Sequence, residues 1–333
     1  MTLRTLTVGN LQVGKVATGL MRLTHATQAT PDDQVFELMK TAIDCGSNFF
    51  NSATFYGPPE DRAANLKLLR RFCDANPEYK GKFVLSVKGG LRPNVTACGE
   101  TDFLREEISR INDTLGFTTD FYEMARVDCE LGIEQSMKNL VALRDEGLFK
   151  YISLSEVGAQ TIKKAAAVSK VDLIEVEYSP FCIDIEKNGV LAACKELDIP
   201  ILAYSPLGSG FFGTDWKSKE DIPEGDLRRR YDRFSDENFD HNLQLAHTLQ
   251  ELAKKKGITA AQLAIAWIGA QWEKIIPLPG STKPARVRES AAAAGDIVLS
   301  PDELKEIRAA IDGFEVKGVR FINVPQAQAS LFA

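Results

Sequence analysis

From residue 15 onward the chain alternates between two kinds of apolar spacing. Short apolar runs rich in β-branched residues, among them FVLSVK (83–88), YISLS (151–155) and PILAYS (200–205), have the length and composition of buried strands. Between them lie longer stretches such as DFLREEISRINDTLG (102–116), whose apolar residues recur with the period of a helix that buries one face. The order begins KVATGL (15–20) and DQVFELMKTAIDCG (33–46), then SNFFN (47–51) and AANLKLLRRFCDA (63–75). FVLSVK and its helix come next, then DFYEMA (120–125) with GIEQSMKNLVALRDEG (132–147) and YISLS with AQTIKKAAAV (159–168). DLIEVEYS (172–179) precedes IEKNGVLAACKELD (185–198). PILAYS precedes a long polar loop (206–243) and the helical LAHTLQELAKKKG (245–257) and AAQLAIAWIGAQW (260–272). KIIPLP (274–279) leads into PARVRESAAAA (284–294). Gly46, Gly116, Gly147 and Gly257 fall just past helices, where a C-terminal stop belongs.

Eight strand-then-helix units imply parallel strands joined by right-handed crossovers. The expected fold is α/β, a (β/α)8 TIM barrel formed by residues 1–333 as one domain. Three additions stand outside the units. They are an N-terminal hairpin in LRTLTVGNLQVG (3–14), the long loop after strand seven, and a C-terminal helix in SPDELKEIRAAIDG (300–313).

Composition narrows the function classes without choosing one. A formal net charge of -6 over 333 residues, with a pI near 5.4, gives no nucleic-acid footprint. The one basic cluster, LRRRYDR (227–233), reads as a solvated loop face. The six cysteines (45, 73, 98, 129, 182, 194) form no C-x-x-C pair or other metal spacing. They are read as small core residues of a reduced, intracellular protein, and no metal is expected. MTLRTLTVGN lacks the unbroken apolar core of a signal peptide, and no run approaches the ~20 apolar residues of a membrane span. The expectation is a cytoplasmic protein with neither nucleic acid nor membrane as partner.

In such a barrel the chemistry sits at the C-terminal ends of the strands and in the loops after them. Strand two runs into FFNSATFYG (49–57), which places Tyr56 just beyond a buried run. Strand three ends at Lys88, followed by Gly89 and Gly90. A tyrosine there is either a packing residue or a proton donor. A strand-end lysine is either a structural charge or a group that tunes its neighbour, since long charged side chains are rarely buried unpaired. An ammonium near a phenol favours the phenolate, so Lys88 is expected to lower the Tyr56 pKa.

Taken in order, the strand ends resemble the aldo-keto reductase family. F-N-S-A-x-x-Y-G is similar to its F-D-T-A-x-x-Y-G signature, LSVK supplies its lysine, and DFYEMARVD is similar to its D-x-Y-x-x-H-R-x-D motif. YISLSE resembles its nicotinamide-binding Gly-x-Ser-Asn strand, and YSPLGSG and IPLPGSTKPARV resemble its two cofactor-phosphate segments. The match runs in order from about residue 5 to 314. ARVD, LSEV and EVEYS, with GLMRLT and LSVKGG, are similar to its pyridoxal reductase branch.

The resemblance implies an oxidoreductase that reduces a small-molecule aldehyde, pyridoxal first, with NADPH. It implies Tyr56 as general acid and Lys88 as the stabiliser of its phenolate. Asn51, where the family has aspartate, can accept a hydrogen bond from Lys88 but cannot neutralise it. Ala125 stands where the family has histidine. That leaves His25, in the loop after strand one, and Arg126 to meet the substrate, a salt bridge to Asp128 being the other role open to Arg126. His241 and His247 are expected to be solvated.

For the cofactor, the resemblance places Met21, Ser155, Glu156, Glu175 and the ring of Tyr204 around the nicotinamide. Ser205, Leu207 and Ser209 would follow the pyrophosphate, with Gly280, Ser281, Lys283 and Arg286 at the adenosine end. Backbone amides plus two cations at a helix start suit a 2′-phosphate, which favours NADPH over NADH. GSGFFG (208–213) matches the G-x-G-x-x-G fingerprint literally, but no helix is expected to open there; it reads as a flexible loop. Two other classes stay open: a Schiff-base lyase built on Lys88, and an NADPH-binding regulatory protein with little turnover.

Overall fold

In a computed structural model, which describes residues 5–24, 30–320 and 331–333, the eight apolar runs form eight parallel strands. They follow an antiparallel hairpin of β1 (Thr5–Val8) and β2 (Leu11–Gly14). The strands are β3 (Thr18–Gly19), β4 (Phe49–Ala53), β5 (Val84–Gly89), β6 (Phe121–Met124), β7 (Tyr151–Ser155), β8 (Leu173–Glu177), β9 (Ile201–Tyr204) and β10 (Ile275–Leu278). They pair in chain order. The ends of the row meet through a parallel bridge between Gly19 and Gly280 and through backbone bonds from Ala17 to Pro277 (2.9 Å) and Gly19 to Pro279 (3.0 Å). The sheet closes on itself as a (β/α)8 TIM barrel.

The helices are α1 (Met21–Thr24), α2 (Asp32–Asp44), α3 (Ala64–Ala75), α4 (Thr101–Leu115), α5 (Ile133–Asp145) and α6 (Ala159–Val168). They continue with α7 (Asp184–Lys187), α8 (Val190–Glu196), α9 (Phe239–Lys256), α10 (Ala260–Gln271), α11 (Pro284–Asp296) and α12 (Pro301–Asp312). One expected helix is two: Gly189, at φ +87°, separates α7 from α8. α9 starts earlier than its apolar repeat suggests, so His241 lies on it. There its ring stacks on Phe314 at 4.8 Å and its Nε2 lies 2.8 Å from the Glu315 carbonyl. His241 is therefore half-buried, against the expectation of a solvated side chain, whereas His247 is exposed.

Strand alternation divides the apolar residues between two cores. Phe50, Leu85, Tyr122, Ile152, Ile174 and Ile201 pack outward under the helices. Phe49, Val84, Phe121, Leu173, Leu202 and Ile276 fill the N-terminal end of the barrel, against Val8 and Val13 of the hairpin. Two residues further along the strands, the inward positions turn polar: Asn51, Ser86, Glu123, Ser153 and Glu175, none more than 3% exposed. Barrels of this kind usually carry bulky branched residues inside. A buried polar layer has to be satisfied internally, which is where the site begins.

The loop after β9 carries a core of its own. Phe211, Phe212, Trp216 and Phe234 are buried with Phe239 and Phe181, and Phe211 and Phe234 lie 4.7 Å apart. GSGFFG opens no helix; it makes a short 3-10 turn, Gly208–Gly210, anchored by its two phenylalanines. The loop is thus packed, which corrects its reading as flexible. LRRRYDR is also not a solvated face. Arg228 lies 4.6 Å over Trp216 and binds Asp226 through two nitrogens (2.9 and 2.7 Å), and Arg229 donates to the Ile222 carbonyl. Among the described residues, no helix is long and apolar enough to cross a membrane, and no His/Cys/Asp/Glu group could hold a metal ion.

Candidate active site

Tyr56 is held from both sides of its loop. Its carbonyl accepts the Thr24 hydroxyl at 2.6 Å, and Thr24 accepts in turn from Asn65 (2.8 Å). Asn65 is fully buried and takes the Ser52 hydroxyl at 2.6 Å, so a chain of side chains ties β4, α1 and α3 to the tyrosine. On the other side, Thr54 N donates to the Lys88 carbonyl (2.9 Å). Buried Glu107 on α4 receives Thr54 Oγ1 (3.3 Å), Gly90 N (2.7 Å) and Tyr122 Oη (2.6 Å). The ends of β4, β5 and β6 are locked together beneath the loop.

Lys88 points from β5 toward Tyr56, its Nζ 5.5 Å from the ring centroid. It is 5% exposed and its partners come from three other strands. Nζ donates to Asn51 Oδ1 at 2.6 Å and Glu175 Oε1 at 2.5 Å, with Glu123 Oε1 at 3.6 Å. Asn51 Nδ2 donates to Glu175 Oε2 at 2.6 Å, and Ser86 donates to Glu123 Oε2 at 2.9 Å. The acceptor role expected of Asn51 is what its geometry shows. Glu175, expected beside the nicotinamide, engages both its oxygens with Lys88 and Asn51.

These charges set the titration of the site. Burial alone would pull the Lys88 amine down, but Glu123 and Glu175 outweigh it and raise it above its ordinary value. Burial, then the neighbouring Glu123, raises Glu175 above the usual carboxyl value, against the pull of Lys88. Tyr56 reverses the expectation. Burial pushes its phenol up to about 12, Lys88 pulls it down, and Glu175 and Glu123 push it up again. Lysine does favour the phenolate, but burial and two carboxylates win.

A second charged cluster lies at the ends of β7, β8 and β9. Glu156, at φ +55°, accepts Arg320 through Oε1 (2.8 Å) and Oε2 (3.3 Å) and also takes the Glu177 amide at 3.2 Å. Arg320 further binds Glu177 (2.8 Å) and the Tyr204 hydroxyl (3.1 Å), while Arg233 reaches Glu177 at 3.4 Å. Glu156, expected near the nicotinamide amide, is thus committed to an arginine from the chain's last segment. Arg126 donates to its own residue's neighbour, the Ala125 carbonyl, at 2.5 Å. Asp128 accepts from the amides of Gly99, Glu130 and Leu131, so the salt bridge weighed for it is not formed. Ala125 is buried, and His25 lies outside the described residues.

The remaining expected positions gather at the same mouth. Ser155 is buried, Tyr204 and Leu207 are half-buried, and Met21 is exposed. Ser205 and Ser209 sit at positive φ (51° and 55°), where the backbone turns after β9. Arg22 on α1 meets Asp226 of the long loop at 3.4 Å. Asp226 stays near 2: burial would raise it, but hydrogen bonds from Arg228 outweigh that. At β10, Gly280 abuts Gly19, and the Ser281 hydroxyl accepts the Lys283 amide at 3.0 Å. α11 begins there with no acid in its first turn and no side-chain cap, and with Lys283 and Arg286 exposed. Uncapped amides and Lys283 make a donor set that fits a phosphate, beside Arg286, which is paired with Glu289 at 2.8 Å.

Sequence reasoning missed Glu123, Glu177, Arg233 and Arg320. The first two had a signal: an acid at an inward position of FYEM and LIEVE, strands otherwise apolar. Arg320 had none, since it enters from a segment with no periodic pattern.

The sequence profile of the aldo/keto reductase family matches residues 15–312. The chain is 36% identical over 326 residues to probable pyridoxal reductase 2 of Schizosaccharomyces pombe, covering 94% of this chain and 96% of that protein. It is also 36% identical, over 100% of its length and 98% of the relative, to aldo-keto reductase yakc [NADP(+)] of the same yeast. Among solved structures, the glycerol dehydrogenase AKR11B4 of Gluconobacter oxydans shares the fold, with a TM-score of 0.83 at 21% identity over 96% of this chain and 98% of that one.

The titration of Tyr56 gives a direct check on these electrostatics. A phenol at 10 when unfolded and about 12 when folded adds stability that is complete below pH 10 and lost as pH rises through 12. At pH 10, where an ordinary tyrosine is about half ionised, Tyr56 should remain protonated. The ultraviolet difference spectrum between the wild type and Tyr56→Phe should then show no phenolate from this residue. A phenolate already present at pH 9 would mean that Lys88, and not burial, controls the ring.

Proposed function

The chain belongs to the aldo/keto reductase family, and from that premise we propose that it reduces an aldehyde to a primary alcohol with NADPH, with pyridoxal as the substrate. The observation that carries the reading is the Lys88 ammonium beside Tyr56, 5.5 Å from its ring centroid and held in place by Asn51, Glu175 and Glu123. Tyr56 donates its proton to the carbonyl oxygen, and Lys88 stabilises the phenolate left behind. When bound, the dihydronicotinamide supplies the hydride to the carbonyl carbon. Lys88 does not suit the lyase alternative. A Schiff base needs a neutral amine, and here Glu123 and Glu175 hold the ammonium form.

Three features support the finer choices. Lys283 and Arg286 at the uncapped start of α11 suit a 2′-phosphate, and one relative is named as NADP(+)-dependent. Another is named as a probable pyridoxal reductase. Ala125 gives up a ring's volume at the end of β6, where an aldehyde crowded by ring substituents needs room. Arg126 at that edge is the cation proposed to meet the pyridine phenolate.

NADPH oxidation measured against pyridoxal, other aromatic aldehydes and small aliphatic aldehydes tests the reading. Turnover with none of them sinks it, and turnover that ignores pyridoxal leaves a general aldehyde reductase. Tyr56→Phe should lower kcat by the ~10²–10⁴-fold of a lost general acid, with NADPH affinity nearly unchanged. Near-normal turnover would return Tyr56 to packing.

The coenzyme is tested separately. Replacing Lys283 and Arg286 by alanine should weaken NADPH binding by roughly 1.5–3 kcal/mol for each charged hydrogen bond lost, leaving NADH almost untouched. An equal loss for both coenzymes would show that these residues do not read the phosphate.

Ala125→His probes the substrate. It should depress kcat/KM for pyridoxal by an overpacking cost of about 1–3 kcal/mol while sparing an unbranched aliphatic aldehyde. If both substrates gain or lose alike, the alanine has nothing to do with substrate size.

A further inference from the structure

Asn51 and Glu175 face each other across 2.6 Å, and both reach the same ammonium. Asn51 uses both ends of its amide: Oδ1 accepts from Lys88, and Nδ2 donates to Glu175 Oε2. An aspartate at position 51, which the family signature leads one to expect, could do the first but not the second. It would set a carboxylate against Glu175 at that separation. Conversely, a glutamine at 175 could still accept from Lys88 but would bring it no charge.

We infer, resting on the reductase reading above, that Glu175 is the positioning residue for Lys88, and that Asn51 and Glu175 form an amide–acid pair whose roles can be exchanged without loss of the site. Glu123 completes the arrangement. Its Oε2 takes Ser86 and its Oε1 lies 3.6 Å from Lys88, fully buried and without a hydrogen-bond partner. Two buried carboxyls thus face one ammonium, with Glu175 in the nearer position. The groups facing Glu175 are Lys88 from β5, Glu123 from β6, Asn51 from β4 and Tyr56 from the loop after β4. The pair thereby fixes where the ammonium sits beneath the tyrosine ring.

The test is a double exchange in the full chain, read by steady-state kinetics with NADPH and an aldehyde and by Tm. Glu175→Gln leaves Glu123 as the nearest negative charge to Lys88, and Asn51→Asp opposes two carboxylates. Each should lower kcat by roughly tenfold to a hundredfold, with KM for NADPH little changed. The double variant Asn51→Asp/Glu175→Gln should recover kcat to within about threefold of the wild type, because the two losses share one cause. Its Tm should recover too, and recovery of the fold where a single variant fails to fold counts equally in favour.

The split between kcat and KM supplies a readout that a merely structural role would not move. Glu175→Gln should lower kcat with KM for NADPH little changed, and the double variant should restore that kcat. A double variant no better than the worse single one overturns the inference. So does a Glu175→Gln enzyme that keeps its kcat but binds NADPH more weakly, since that marks a cofactor ligand. If the wild type reduces no aldehyde, the reductase reading fails, while the Tm cycle still decides whether acid and amide are exchangeable.

Discussion

An ammonium group buried in the middle of a barrel is the constraint to which the surrounding residues answer. Lys88 cannot keep its charge there unless other strands supply negative charge and acceptors. Glu175 from β8, Glu123 from β6 and Asn51 from β4 do so, and Ser86 satisfies one oxygen of Glu123. The consequence is a polar layer where apolar packing would be more stabilising. Buried ion pairs are weak sources of stability even when well made. The fold therefore rests on the two apolar shells around that layer, one under the helices and one against the hairpin at the N-terminal end.

The strand β8 couples this layer to the mouth of the barrel. Glu175 and Glu177 lie two residues apart and so share a face. The lower one binds Lys88, and the upper one binds Arg320 and Arg233. Arg320 then links Glu156 on the segment after β7 with Tyr204 at the end of β9. Two carboxylates of one strand thus anchor Lys88 beside Tyr56 on one side, and Arg233 of the long loop and Arg320 on the other.

The barrel itself was legible in the sequence because it depends on period and order, and both survive in a single chain. YISLS and AQTIKKAAAV become β7 and α6 to the residue. Where expectation failed, the deciding contact lay across the fold. No local pattern says that the phenylalanines of GSGFFG meet Phe181 and Phe234, or that Arg228 stacks on Trp216. The pairing of Tyr56 with Lys88 could be read from strand ends. The sign of the tyrosine's shift could not, because it turns on Glu123 and Glu175, which arrive from strands far away in sequence.

That sign alters what Lys88 is for. For a proposed proton donor, a phenol at its ordinary 10 already carries its proton at neutral pH, so the rise to about 12 adds no protonated enzyme and makes Tyr56 a weaker acid at rest. The cost of so weak an acid appears only as the proton leaves, and that is when a nearby ammonium matters most. Lys88 then faces a new phenolate, and its attraction grows with the charge that develops. The carboxylates limit this effect by offsetting part of the field, yet without them burial would pull the Lys88 amine below its ordinary value.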